Sequence, residues 1–294
     1  YTASAIGLVN LFEIAPLERL NDNPDCIMLF GVKDNKEEDT FYIDEENNII
    51  VGKLSYKPII EYFGYFKKMA LTLHNIRMMK QNKLPIHGAM FNVYFKKGPE
   101  KGVVLMGDSG AGKSETLETI TNILGKDVGN IEWVVDDMGS MYVKDGKVYA
   151  KGTETGAFIR LDDLGNESIY KDIDRSIFIN PESNKNARVI TPKTNYDVVI
   201  DDHIVDIYLY ANNYDDKYGI VRLDANDAKK VYKEGKRKAI GTTSEEGIST
   251  TYFANPFGPM QKQEVCGKII DDIFKALQDN DVYLGEIYTR LALH

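Results

Sequence analysis

Residues 102–120 read GVVLMGDSGAGKSETLETI. No other stretch restricts the fold as tightly. Gly107, Asp108, Ser109, Gly110, Ala111, Gly112, Lys113 and Ser114 fit G-x-x-x-x-G-K-[ST], a loop whose backbone N–H groups converge on phosphate oxygens. Such a loop needs a buried strand before it and a helix after it. Val103–Met106 supplies the apolar strand, and Glu115–Leu124 the helix whose N-terminal end faces the phosphates. The glycines let the backbone approach without Cβ obstruction. Lys113 would reach the β and γ phosphates as a point charge, and Ser114 would offer its hydroxyl to Mg²⁺. The implied ligand is a nucleoside triphosphate, ATP or GTP.

The rest of the chain adds strands and few helices. Ile59, Tyr62, Phe66, Met69, Leu73 and Ile76 recur at spacings of three and four, which predicts a helix over 59–82 ended by Pro85. Met90–Phe95 reads as extended, and Ile131–Val135 as a second buried strand ending in Asp136-Asp137. MYVKDGKVYA is a hairpin turned at Asp145-Gly146. Ser176–Asn180, Ala187–Thr191, Val198–Ile200, Ile204–Tyr210 and Val282–Tyr288 are further candidate strands, and Lys262–Gln278 a helix. Strand and helix do not alternate strictly. The expected class is therefore α/β with a mixed rather than a purely parallel sheet.

The 294 residues suffice for one large α/β domain or two smaller ones. A net charge of −9 argues against a nucleic-acid or anionic-membrane binder, which needs a basic footprint. No apolar run reaches membrane-spanning length. Cys26 and Cys266 are the only cysteines and lie far apart, which suits a reducing cytoplasm and offers no thiolate metal cluster. The chain begins at Tyr1 rather than Met, as a trimmed piece of a longer protein would.

Asp136-Asp137 is the second chemical signal. A carboxylate at the end of a buried strand beside a phosphate loop is where a metal ligand belongs. Adjacent side chains point differently, so one carboxylate can hold a cation while the other orients or deprotonates an acceptor hydroxyl.

Several blocks carry a resemblance. IHGAMFNVY, GVVLMGDSGAGKSETLE and VVDD resemble HPr kinase/phosphorylase. ATP-dependent phosphoenolpyruvate carboxykinase is similar over more of the chain. Its pattern is matched in order by YFGYFKKM (62–69), His87, the loop, Asp136-Asp137, NESIY (166–170), NKNARVITP (184–192), DIYLYANNYD (206–215), TTSEEGISTTYFANPFG (242–258) and DVYLGEIY (281–288).

The resemblance implies a mixed-sheet P-loop domain of the phosphoenolpyruvate carboxykinase-like type over residues 61–294. Residues 1–60 would be a partial N-terminal α/β segment. It implies that Lys68, His87 and Asp137 ligate Mn²⁺, with Ser114 serving Mg²⁺. It also implies that Arg188 bridges the transferring phosphoryl group and that Tyr62 lies on the substrate side. A lysine ligates a metal only as the neutral amine, which burial and a nearby cation favour. Imidazole suits the transition ion. Asp136 is the candidate base, and Lys113 with Arg188 the clamp on the transferring group.

The departures concern the acceptor. Residues 1–61 lack the arginine-serine-proline motif with which carboxykinases grip oxaloacetate. Asp108 and Ser114 stand where carboxykinases usually have an apolar residue and threonine, and Glu246 where they have an arginine beside the base. Three functions remain in play: a phosphotransferase with a small-molecule or protein acceptor, a true carboxykinase, and a nucleotide-sensing domain without turnover.

Overall fold

The computed structural model describes residues 2–36, 38–57, 62–107, 112, 116, 125–161, 175–179, 187–239 and 247–290. The chain opens with helix α1 (Thr2–Leu11) and strands β1 (Cys26–Val32), β2 (Thr40–Asp44) and β3 (Ile49–Ser55). Helix α2 is Phe63–Lys80. Eight strands follow: β4 (Leu84–Phe95), β5 (Lys101–Met106), β6 (Val128–Val135), β7 (Met138–Lys144), β8 (Lys147–Gly152), β9 (Gly156–Arg160), β10 (Ile177–Ile179) and β11 (Arg188–Pro192). Then come α3 (Tyr196–Ile200), β12 (His203–Ile204), β13 (Ile207–Asn212), β14 (Gly219–Arg222) and α4 (Ala225–Glu234). The chain continues through β15 (Lys236–Lys238), β16 (Ile248–Thr250), α5 (Gln263–Asp279) and β17 (Tyr283–Tyr288).

These elements form two compact units, each discontinuous in sequence. The first comprises Tyr1–Gln81 and Glu154–Tyr196, the second Asn82–Thr153 and Asp197–His294. The expected break between residues 60 and 61 falls inside the first unit, because α2 packs on β1 and β3.

In the first unit β3 is central, parallel to β1 and antiparallel to β2. A second sheet places β11 between β10 and β9, all antiparallel. Leu11, Phe63, Ile179 and Ile190 form a core that Leu8, Phe66 and Phe158 extend.

The second unit holds one mixed sheet in the order β12-β8-β7-β4-β5-β13-β17-β14, with β6 also on β4. Strands β5, β13 and β17 run parallel and the other pairs antiparallel, as the irregular element order predicts. Phe91, Val93, Val103, Leu105 and Leu209 make a core against Trp133 and Tyr283. The hairpin at Asp145-Gly146 forms as expected, with both residues at positive φ (51° and 75°), the backbone an Asp-Gly turn provides.

Two expectations need correction. Val198–Ile200 is not a strand but part of the helical turn α3, where Asp201 N–H bonds the Asp197 carbonyl. Three apolar residues are too few to fix a period. Ile204–Tyr210 is not one strand. It breaks at Val205-Asp206, so β12 pairs β8 while β13 pairs β5. Asp206 accepts from Gly102 N–H and Lys101 Nζ, which fastens the break to the start of β5.

Candidate functional site

The long strand β4 organises the site. On one flank its first half pairs with β7 (Leu84–His87 against Met141–Met138) and its second half with β6 (Met90–Phe95 against Val135–Val128). Asp136-Asp137 is the two-residue link between β6 and β7, so it lies where β4 changes partner. Gly88 N–H bonds the Asp137 carbonyl at 2.9 Å across this fork. On the other flank β4 pairs with β5, and Gly107 N–H bonds the His87 carbonyl at 3.0 Å. His87-Gly88 thus sits between the paired aspartates and the first residue of the phosphate-loop sequence. Gly88 is required there, because a Cβ would lie 2.4 Å from the Leu105 carbonyl oxygen.

His87 is 3% exposed. Its Nδ1 lies 3.0 Å from the Ala254 carbonyl oxygen and its Nε2 3.0 Å from Asp137 Oδ1. A carbonyl only accepts, so Nδ1 carries hydrogen, and Nε2 faces a carboxylate oxygen with a proton or a cation between them. The arrangement fits a divalent ion. Two ligand atoms each about 2.1 Å from an octahedral ion, at right angles, are about 3.0 Å apart. A ligating histidine commonly donates its other N–H to a carbonyl, as here. Asp137 keeps its side chain 31% exposed, so an ion can reach it. Asp136 is half-buried beside it.

The Ala254 carbonyl is held by a buried turn of unusual backbone. Phe253 (φ 52°) and Ala254 (φ 47°) are both left-handed, which disfavours a non-glycine residue by roughly 1–2 kcal/mol each. Gly235, the left-handed cap that ends α4, packs on this turn, and its Cβ would fall 1.9 Å from the Thr251 carbonyl oxygen. The buried Tyr232 fixes α4 in turn, its hydroxyl 2.6 Å from the Tyr208 carbonyl of β13 and 2.8 Å from the Gly285 carbonyl of β17.

Of the expected phosphate loop, Gly107 and Gly112 are described and buried. Gly112 has φ 94°, and its carbonyl accepts from Thr116 N–H (3.0 Å) and Thr116 Oγ1 (2.6 Å), the bonding of a first helical turn. Asp108, Ser109, Gly110, Ala111, Lys113 and Ser114 lie outside the described residues, as does the expected helix over 115–124 except for Thr116.

Tyr62, Lys68 and Arg188 belong to the first unit. Tyr62 precedes α2 and meets Tyr65 edge-on at 6.0 Å. Lys68 is exposed on α2. Its neighbour Lys67 is the buried one, with Nζ 2.9 Å from Glu154 Oε1 and side-chain exposures of 8% and 1%. Arg188 opens β11 opposite Arg160. Its guanidinium stands 5.8 Å from the Phe158 ring centroid, and its buried Nη1 has no hydrogen-bond partner. Lys67 approaches the same ring at 5.4 Å. An unpaired buried guanidinium nitrogen opposite a second arginine suits an anionic ligand.

Among the described residues no three His, Cys, Asp or Glu side chains converge as metal ligands; His87 and Asp137 are a pair. Burial pushes the Cys26 thiol up to about 11 and the Cys266 thiol up to about 12, which leaves neither as a thiolate. Sequence reasoning missed the Ala254 carbonyl and the Lys67–Glu154 pair. Lys67 was findable, because Phe63, Lys67 and Leu71 share one helical face. No family model matches the chain, and no curated protein matches it.

Proposed function

We propose that this chain is a nucleotide-dependent phosphotransferase of the phosphoenolpyruvate carboxykinase-like group, acting in the cytoplasm. The observation that carries the reading is the His87–Asp137 pair, oriented by the Ala254 carbonyl and one hydrogen bond from the start of the phosphate-loop sequence. Nucleotide phosphates would be held by the 107–114 loop, with Lys113 as its side-chain cation. His87 and Asp137 would hold Mn²⁺, and Ser114 would serve Mg²⁺ on the nucleotide. Bound there, the divalent ions supply neutralisation of the charge that develops on the phosphoryl oxygens.

The remaining roles fall to side chains. Asp136 orients or deprotonates the acceptor. Arg188 offers a buried donor to an anion, which supports its assignment to the transferring group. Lys68 keeps its proposed place as a further Mn²⁺ ligand on the resemblance alone.

The test offers ATP with Mn²⁺ and Mg²⁺ to the protein together with oxaloacetate, free serine or a protein serine. Transfer to serine in either form agrees with the proposal. Phosphoenolpyruvate formed from oxaloacetate would make the chain a carboxykinase. Nucleotide binding without transfer to any acceptor would leave a sensing domain.

A further inference from the structure

We propose that the turn Phe253–Phe257 is the positioning element of His87: it keeps Nδ1–H on the Ala254 carbonyl and so aims Nε2 at Asp137, to share a proton or a cation with it. Only what Nε2 and Asp137 then hold rests on the cation reading above. The turn meets the ring at two points and is tied to its strand at a third. The Ala254 carbonyl takes the Nδ1 hydrogen at 3.0 Å. The Phe257 ring lies against the imidazole, with centroids 5.9 Å apart. Asn255 ties the turn to β4 itself, with Nδ2 3.4 Å from the carbonyl of Pro85, two residues before His87. Asn255 Oδ1 also accepts from Phe257 N–H at 3.0 Å, which sets where that ring stands.

The backbone conformation argues that this geometry is imposed. Phe253 and Ala254 are consecutive left-handed residues, both completely buried. Such strain persists only where the surroundings over-determine it. The surroundings here are Gly235 and the anchored end of α4. Flipping the imidazole by half a turn would set Cδ2 against the Ala254 carbonyl and forfeit its bond, so the ring has one favoured orientation.

The test is ¹⁵N imidazole NMR of the full chain labelled at histidine, with His87 assigned by the signal lost in His87→Gln. The expected result, without added metal, is a protonated, hydrogen-bonded Nδ1. Ala254→Gly removes the left-handed strain, so melting should be unchanged or later. The His87 Nδ1 signal should nevertheless move away from its hydrogen-bonded position, and the Mn²⁺ dissociation constant should rise about tenfold, as when a ligand's outer partner is disturbed. A merely structural turn would shift melting and leave the nitrogens alone. If the glycine variant does not fold, Phe257→Leu carries the same expectation. A bare Nδ1 in the unaltered protein overturns the proposal, as do nitrogens unmoved in the variant. Nitrogens that behave as stated, with Mn²⁺ bound by neither protein, uphold the positioning role and remove the cation reading instead.

Discussion

At His87 a backbone carbonyl takes the Nδ1 hydrogen and leaves Nε2 to face Asp137. What Nε2 meets is then a carboxylate and any cation that the carboxylate attracts. His87→Ala should therefore weaken Mn²⁺ much more than Mg²⁺, since imidazole favours the transition ion. Disturbing an outer partner alone weakens a metal by about 10–100-fold, so the Mn²⁺ loss should be at least that large. Titration calorimetry with each ion separates the cases, and equal losses would remove His87 from the ligands. A second residue-scale contrast lies on α2. Lys67→Met should destabilise by about 3–5 kcal/mol, because it breaks a buried ion pair by removing its cation. Lys68→Met should stay within about 0.5 kcal/mol, as exposed substitutions do. Urea melts of the two variants decide this, and similar melts would contradict the burial difference.

Among the elements, α4 matters because its C-terminal end supports the Ala254 turn. Its start is capped by Asp224, whose carboxylate accepts from Asn226 and Asp227 N–H. Those backbone bonds hold the Asp224 carboxyl below its ordinary value. A depressed carboxyl contributes stability above its unfolded value and loses it as pH falls. Asp224→Ala should therefore melt earlier than the parent at pH 7, the gap closing once pH drops below the ordinary carboxylate range. A constant gap would mean that the cap is not electrostatic. The helix was legible, with Asp224 as N-cap and Gly235 as stop around a polar run. It was passed over because few apolar residues mark its period. Val198–Ile200 misled for the opposite reason: β-branched residues suggested a strand where a short turn had formed. The long helices α2 and α5 and the strands β5, β6 and β17 emerged near their expected places, because each carries enough apolar residues to set its period.

On the scale of the whole chain, the strands that carry the phosphate-loop sequence and the paired aspartates, β5 and β6, both pair with β4; the sequence marked the strands but not that pairing. What could not be read ahead was the fork in β4, since it depends on β6 and β7 sharing one flank of a single strand. Nor could the sequence announce a carbonyl ligand for His87, since backbone atoms carry no residue signature; Asn255-Pro256 and Gly258 signalled only a turn. The two-unit division was hidden because residues far apart in sequence share each core.

The Mn²⁺ that His87 and Asp137 would hold is proposed to serve the bound nucleotide. Pulsed electron paramagnetic resonance of Mn²⁺ with ATP and protein carrying ¹⁵N-histidine tests it in a single sample. Hyperfine coupling of the same ion to phosphate ³¹P and to imidazole ¹⁵N is expected, the latter lost in His87→Gln. Phosphorus coupling without any imidazole nitrogen would contradict it.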